Sequence, residues 1–331
     1  MKVLFVGGTG NISTAVSRLV VEKGVDLYHL NRGKRKVELK GVKTIIADIS
    51  DAKAAAAALE GHSWDAVVNW IGFTPDDMQR DIALFSGRTK QYIFISSASV
   101  YQKPLVHPSV TESTPLCNPF WDYSNNKILS EECLNKAYRE HGFPITIVRP
   151  SLTYDTVFPV AIGSWNDFTL VDRIRRGGKI IVHGDGTSLW TVTHSDDFAK
   201  GFAGLLGNPQ TLGHAFHITS DEILTWNQIY SILANAAGAE PKLVHIPSDF
   251  IAAIDAWQRG NLHGDKAVSA IFDNTKIKTF VPSFKATIPF HEGIRRTIAW
   301  FEADKSRMRV VDDTNKNMDR IIAAYEKGFP K

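Results

Sequence analysis

Cysteine is scarce in this chain: 331 residues contain two, Cys117 and Cys133. They form no C-x-x-C pair and join no His/Cys cluster at zinc-ligand spacing, so neither a disulfide framework nor a metal site is expected, and both read as buried thiols. Long apolar runs are missing as well. None approaches the roughly 18 residues of a membrane span, and the run after Lys2 is broken by Gly7, which leaves neither a span nor a secretory leader and points to a cytoplasmic protein. Excess charge is also lacking. The net charge is +3, with Lys and Arg dispersed among Asp and Glu, which excludes the electrostatic footprint of a nucleic-acid binder. What remains, 44% hydrophobic and 22% charged, is a globular composition long enough for one large domain or two unequal ones.

The N-terminus carries the most informative stretch. Lys2-Val3-Leu4-Phe5-Val6 reads as a buried strand, Gly7-Gly8-Thr9-Gly10 as a glycine turn, and Asn11-Ile12-Ser13 as the first turn of a helix. Glycines let a backbone approach phosphates with no Cβ in the way, and the free N–H groups and dipole of a helix N-terminus face negative charge. The spacing Gly7-x-x-Gly10-x-x-Ser13 departs from G-x-G-x-x-G, yet its setting between strand and helix predicts a dinucleotide site that includes Gly7, Thr9, Gly10, Asn11 and Ile12.

Apolar runs then alternate with helical patterns. Strands are expected at 25–30, 44–47, 66–69, 92–96 and 145–148, and helices at 51–59 and 76–86, the second started by Pro75. This is a doubly wound parallel α/β sheet. Ligands bind at the carboxyl ends of such strands. Polar residues collect there: Asn31 and Arg32, Asp48 and Ile49, Asn69 to residue 72, the serines of 96–101, and Arg149 with Pro150. Beyond Pro150 the texture turns to proline, glycine and aromatics. Strands are expected at 189–193 and 215–219, and helices at 196–206, 226–236, 250–258, 291–302 and 313–326. Residues 1–150 would form the dinucleotide-binding domain, with a later return near 187–222, and 151–331 mainly a smaller, discontinuous substrate-binding domain.

Tyr123 and Lys127 open a helix that ends at His141-Gly142, four residues apart on one face, so that an ammonium can sit beside a phenol. Tyrosine ionises near pH 10, and a neighbouring positive charge favours the phenolate. At the end of the fifth strand, Ser96-Ser97-Ala98-Ser99-Val100-Tyr101 offers hydroxyls that could bond a substrate oxygen. Taken together, Gly7-Gly8-Thr9-Gly10-Asn11-Ile12, Ser97-Ala98-Ser99-Val100-Tyr101, Tyr123-x-x-x-Lys127, Arg149-Pro150, His183-Gly184-Asp185-Gly186 and His194-Ser195-Asp196-Asp197 resemble the extended short-chain dehydrogenase/reductase superfamily of epimerases, dehydratases and reductases.

That resemblance implies a Rossmann domain and an NAD(P)-dependent epimerase or oxidoreductase acting on a sugar or nucleotide-sugar carbinol. It gives Tyr123 the role of general acid/base, Lys127 that of holding the ribose and lowering the tyrosine pKa, and Ser97 that of donor to the substrate oxygen, with Ser96 and Ser99 in reserve. Asp48 and Ile49 would lie against the adenine and Asn69 on the ribose side. At the end of the second strand an acid would suit NAD, whereas Asn31-Arg32, followed by Lys34 and Arg35, favours NADP(H) over NAD(H). Ala98 and Ser99 stand where dehydratases carry acids, which disfavours elimination.

The resemblance also sets expectations for the substrate. An arginine that usually meets a diphosphate is replaced by Trp190, so Arg173, Arg175 or Arg176 would have to supply the charge. Trp121, Trp165, Trp190 and Phe120 are candidates for a stacking wall around a sugar-like small molecule. A reductase of a non-nucleotide carbonyl compound and a non-catalytic dinucleotide sensor are the alternatives. The helix carrying Tyr123 is compatible with a homodimer.

Overall fold

In the computed structural model, which describes residues 1–34 and 39–328, the N-terminal apolar run becomes strand β1 (Lys2–Val6) at the middle of a seven-stranded sheet. A strand with neighbours on both sides and helices on both faces has no solvent side, which is why Val3-Leu4-Phe5-Val6 is apolar throughout. Val3 and Phe5 face the cluster that contains Val16 and Val20, and Leu4 and Val6 the cluster that contains Met78 and Phe85, the two-residue alternation of a pleat.

The chain proceeds through α1 (Asn11–Glu22), β2 (Asp26–Asn31), β3 (Lys43–Ile46), α2 (Ala52–Ala58), β4 (Ala66–Asn69), α3 (Pro75–Phe85) and β5 (Tyr92–Ile95). After the two-residue strand β6 (Ser109–Val110) come α4 (Asp122–His141), β7 (Ile145–Pro150) and β8 (Leu152–Tyr154). Next are α5 (Thr169–Arg175), β9 (Lys179–His183), β10 (Leu189–Trp190), β11 (Val192–His194), α6 (Ser195–Leu205) and β12 (Ala215–Ile218). The remainder is β13 (Leu224–Thr225), α7 (Trp226–Ala237), β14 (Lys242–Ile246), α8 (Ser248–Ile254), α9 (Trp257–Asn261), β15 (Ile271–Phe272), α10 (Thr275–Phe280), α11 (Phe290–Glu302) and α12 (Asp312–Gly328).

The large sheet runs β12-β7-β5-β4-β1-β2-β3, every neighbour parallel. Its order reverses at β1, whose two neighbours are β2 and β4, so the connections leaving β1 and β4 part and open a crevice at the strand ends. A third apolar cluster, built mostly from β8 onward around Trp190, Trp226, Phe158 and Phe301 and joined by Ala98, Tyr101 and Val110, forms the other side of that crevice.

Local signals and structure differ in a few places. The run 189–193 is broken at Thr191, because β10 pairs antiparallel with β13 while β11 pairs parallel with β8. The helix expected at 250–258 is interrupted at Asp255 and Ala256, and α9 leads into a π-helical turn, Leu262–Lys266. Strands β9 and β14 pair with each other, far apart in the chain, and β14 shows too little apolar alternation to be seen alone. Cys117 is exposed and Cys133 half-buried, against the expectation of two buried thiols. Cys117 sits in a loop whose backbone is fixed by bonds to Val100 and Lys103, with the thiol turned outward. Among the described residues no helix is long and apolar enough to cross a membrane, and no group of three or more His, Cys, Asp or Glu could hold a metal ion.

Candidate active site

The strand ends converge on a cleft of about 1270 Å³, above the roughly 300–1,000 Å³ of a single small-molecule site and therefore roomy enough for a dinucleotide and a second molecule. Its floor is the glycine turn. Gly7 and Gly8 have φ of 93° and 112°, the left-handed side that glycine adopts freely. A Cβ on Gly8 would lie 2.6 Å from the His29 ring, which is buried, stacked on Phe5 and bonded to Ser17 at 2.9 Å. Burial lowers the His29 pKa to about 4, so a neutral imidazole supports the turn. No side chain caps α1 and its first turn holds no acid, leaving its dipole to a ligand anion. Ser13, in place of the usual third glycine, is accommodated because its Oγ turns back to accept the Gly10 N–H at 2.8 Å. Backbone and helix terminus thus fit a pyrophosphate. The Asn11 side chain faces away from this role, donating to Thr153 O (3.0 Å) and accepting from Thr156 N (3.1 Å), which ties α1 to β8.

Around the rim, Thr9, Ile12, Asn31, Arg32, Asp48 and Ile49 line the cleft. Asn31 closes its own turn by accepting the Gly33 N–H, and Asp48 accepts from both the backbone and the hydroxyl of Ser50, which hold its carboxyl below the usual range. Arg32 and Asp48 stand 4.0 Å apart, both solvent-facing. Arg35 falls outside the described residues. Asn69 is buried and shares Asp81 with Arg80 and Tyr92, while its Oδ1 accepts the Ile71 N–H at 2.8 Å; it shapes the wall from behind.

Across the cleft stands the N-terminal half of α4, whose buried face is polar: Ser124, Lys127, Ser130 and Glu131. Lys127 Nζ donates to Gly72 O (2.6 Å) and Ile95 O (2.8 Å) and lies 4.6 Å from the Phe73 ring centre and 4.7 Å from that of Phe94. Burial lowers its pKa to about 7. Its ammonium lies 5.9 Å from the Tyr123 ring centre. Burial raises the phenol's pKa, the facing Ser97 hydroxyl pulls it down, and Asp265 adds to the rise. Ser97 Oγ lies 2.9 Å from Ser99 Oγ, which accepts from Ser124 at 2.7 Å, so one chain of hydroxyls leads from α4 to the residue beside Tyr123.

A pH test follows from the buried ammonium. Lys127 would bind its proton near pH 7 when folded and near 10.5 when unfolded, so its cost to stability is full below pH 7 and disappears as pH rises toward 10.5. In urea unfolding, wild type measured relative to Lys127→Met should gain stability from pH 7 to 10. A difference independent of pH would contradict the buried, shifted lysine.

Several expected residues lie elsewhere. Trp190 is 1% exposed and packs against Trp226, serving the core rather than a substrate wall. Arg173 and Arg176 line a separate cavity of about 500 Å³, the first bound to Asn315 and Asp319 and the second to Asp172. Arg149 is buried with two bonds to Glu131 and does not reach the cleft. Phe120 packs near His263 outside the lining, whereas Trp121 and Trp165 do line it. Sequence reading missed Phe73, Ser151, Trp257, Asn261, Asp265 and Lys266. The last four come from α9 and the π-helical turn after it, far along the chain and with no motif of their own.

Sheet order, glycine turn and the Tyr123–Lys127 face on one cleft define a dinucleotide-binding protein of the doubly wound class. A family model, the NAD dependent epimerase/dehydratase family, matches residues 3–219, and the chain belongs to that family, within the extended short-chain dehydrogenase/reductases. That family is one of NAD-dependent epimerases and dehydratases. Among similar proteins, the chloroplast stem-loop binding protein of 41 kDa b of Arabidopsis thaliana is 25% identical over 75% of this chain and 67% of its own length. The UDP-glucose 4-epimerase of Lactobacillus helveticus is 28% identical over 45% of this chain, and the match spans 51% of that relative, about half its length. The structure of UDP-glucuronic acid 4-epimerase from Bacillus cereus with UDP-glucuronic acid and NAD superposes with a TM-score of 0.72 at 17% identity, covering 92% of this chain and 99% of the other. At that identity the likeness speaks for the fold.

Proposed function

We propose that this protein transfers a hydride between a carbinol carbon of a sugar-type substrate and a nicotinamide dinucleotide, as an epimerase or oxidoreductase. One observation carries the reading: Ser97, Tyr123 and Lys127 line the same cleft as the glycine turn. Tyr123 moves the hydroxyl proton of the substrate, Ser97 orients the substrate oxygen, and Lys127 holds the ribose while its two carbonyl partners fix its position. The bound nicotinamide would supply the hydride acceptor. Ala98 and Ser99, buried and without an acid, leave elimination unsupported. Residues 1–150 would hold the cofactor and the later segment the substrate.

For the cofactor we favour NADP(H). The end of β2 carries Asn31, Arg32 and Lys34 and no acid, and Asp48 across from Arg32 is engaged by Ser50. Arg32→Ala should weaken NADP(H) by about 1.5–3 kcal/mol if the guanidinium meets the 2′-phosphate. Equal effects on NAD and NADP in a titration would remove that assignment.

Native mass spectrometry of the freshly purified protein, with identification of any dinucleotide released on denaturation, tests the reaction type. A retained oxidised cofactor marks an epimerase, which recycles its hydride internally. An empty protein that takes up NADPH and reduces a carbonyl compound marks a reductase. A protein that neither holds nor takes up either dinucleotide would overturn the reading.

A further inference from the structure

The far end of the cleft, beyond Tyr123, is built from Trp121, Trp165, Trp257, Asn261, Asp265 and Lys266. Its charges balance. Lys266, 1% exposed, is the one cation that described residues from Pro150 onward contribute to the lining, and its Nζ lies 2.9 Å from Asp265 Oδ2. That ammonium also sits 5.3 Å from the Trp165 ring centre and 5.8 Å from that of Trp121. Trp121 packs in turn against Tyr123, tilted by 46° with 5.0 Å between centres. The π-helical turn is held against the catalytic loop by Asn118, which donates to both Ser99 O (2.8 Å) and Gly264 O (2.7 Å). Gly260 and Gly264 permit the close seat of Trp121, since a Cβ on either would come within 3.0 Å of it.

From this arrangement we infer that the site takes an uncharged polyhydroxylated ring, a free sugar or simple glycoside, and not a sugar carried on a nucleoside diphosphate. This deepens the hydride-transfer reading above and rests on it. A diphosphate entering a partly buried cleft needs cations or several N–H donors to replace its water. Here Lys266 is neutralised by Asp265, and Arg149, Arg173 and Arg176 are committed to Glu131, to Asn315 and Asp319, and to Asp172. A pyranose asks for what is present: indole faces for its C–H surface, and an acceptor and a donor side by side for its hydroxyls. Trp165 is pinned by its N–H to Val160 O at 2.8 Å yet stays 37% exposed, a fixed platform open to a ligand.

Tryptophan fluorescence of the cofactor-loaded protein tests this, with UDP, UDP-glucose and a panel of free aldoses and methyl glycosides as probes. The expected result is a saturable change with an uncharged sugar, weakened about tenfold in Trp165→Ala, and none with UDP or UDP-glucose up to about 1 mM. Saturable UDP binding in the micromolar range would overturn the inference, and so would silence from every uncharged sugar. Nicotinamide absorbance separates the two readings. UDP-glucose that binds and changes the cofactor's redox state would end the substrate class and keep the reaction. An uncharged sugar that binds with no redox change or epimerisation would keep the site's class and count against the reaction.

Discussion

Replacing Tyr123 by phenylalanine should lower turnover by about 10²–10⁴-fold, the usual weight of a positioned proton-transfer group, while leaving dinucleotide affinity within a factor of a few. The ring is held by Trp121 at 5.0 Å and Phe73 at 6.2 Å, contacts that phenylalanine keeps. What is lost is the O–H that faces Ser97. Phenylalanine has no hydroxyl to carry the substrate's proton in either direction. Single-turnover kinetics beside a cofactor titration would separate chemistry from binding. Turnover unchanged within twofold would remove Tyr123 from the mechanism.

Glu131→Ala should cost about 3–5 kcal/mol of stability, because it leaves a buried guanidinium without its partner. Glu131 is fully buried, accepts from Arg149 Nε at 2.9 Å and Nη2 at 2.6 Å, and accepts from Ser96 Oγ at 2.5 Å. It therefore joins α4, β5 and β7, the elements that carry Tyr123, the serines and the sheet beneath them. Arg149→Met combined with Glu131→Met should recover most of the loss, since an apolar pair leaves no stranded charge. Urea unfolding of the two variants checks this. A single-variant cost within about 0.5 kcal/mol, the range of ordinary surface changes, would mean that the pair does not support the site.

Local chemistry was readable in the chain wherever a feature rests on neighbours in sequence. The glycine turn, the i,i+4 placement of Tyr123 and Lys127, the Gly142 stop of α4 and the order of apolar strands all depend on short spacings. Features decided by distant partners were not readable. A tryptophan reads alike whether it lines a cleft, as Trp165 does, or fills a core, as Trp190 does against Trp226. The arginines 149, 173 and 176 looked available because Glu131, Asp319 and Asp172 could be assigned to them only after folding. Likewise the shifted state of Lys127 comes from burial beneath residues distant in sequence, Gly72, Phe73, Phe94 and Ile95 among them. The pair Asp265–Lys266 had no signal, because a π-helical turn joined to Ser99 through Asn118 leaves no periodic trace.

The most direct test of the central claim is a crystal structure of the protein loaded with its dinucleotide. The account predicts the pyrophosphate against the backbone of residues 8–12, the ribose hydroxyls beside Lys127, and the nicotinamide ring between the glycine turn and Tyr123. A dinucleotide bound with its pyrophosphate away from that turn, or with its nicotinamide out of reach of Tyr123, would contradict it.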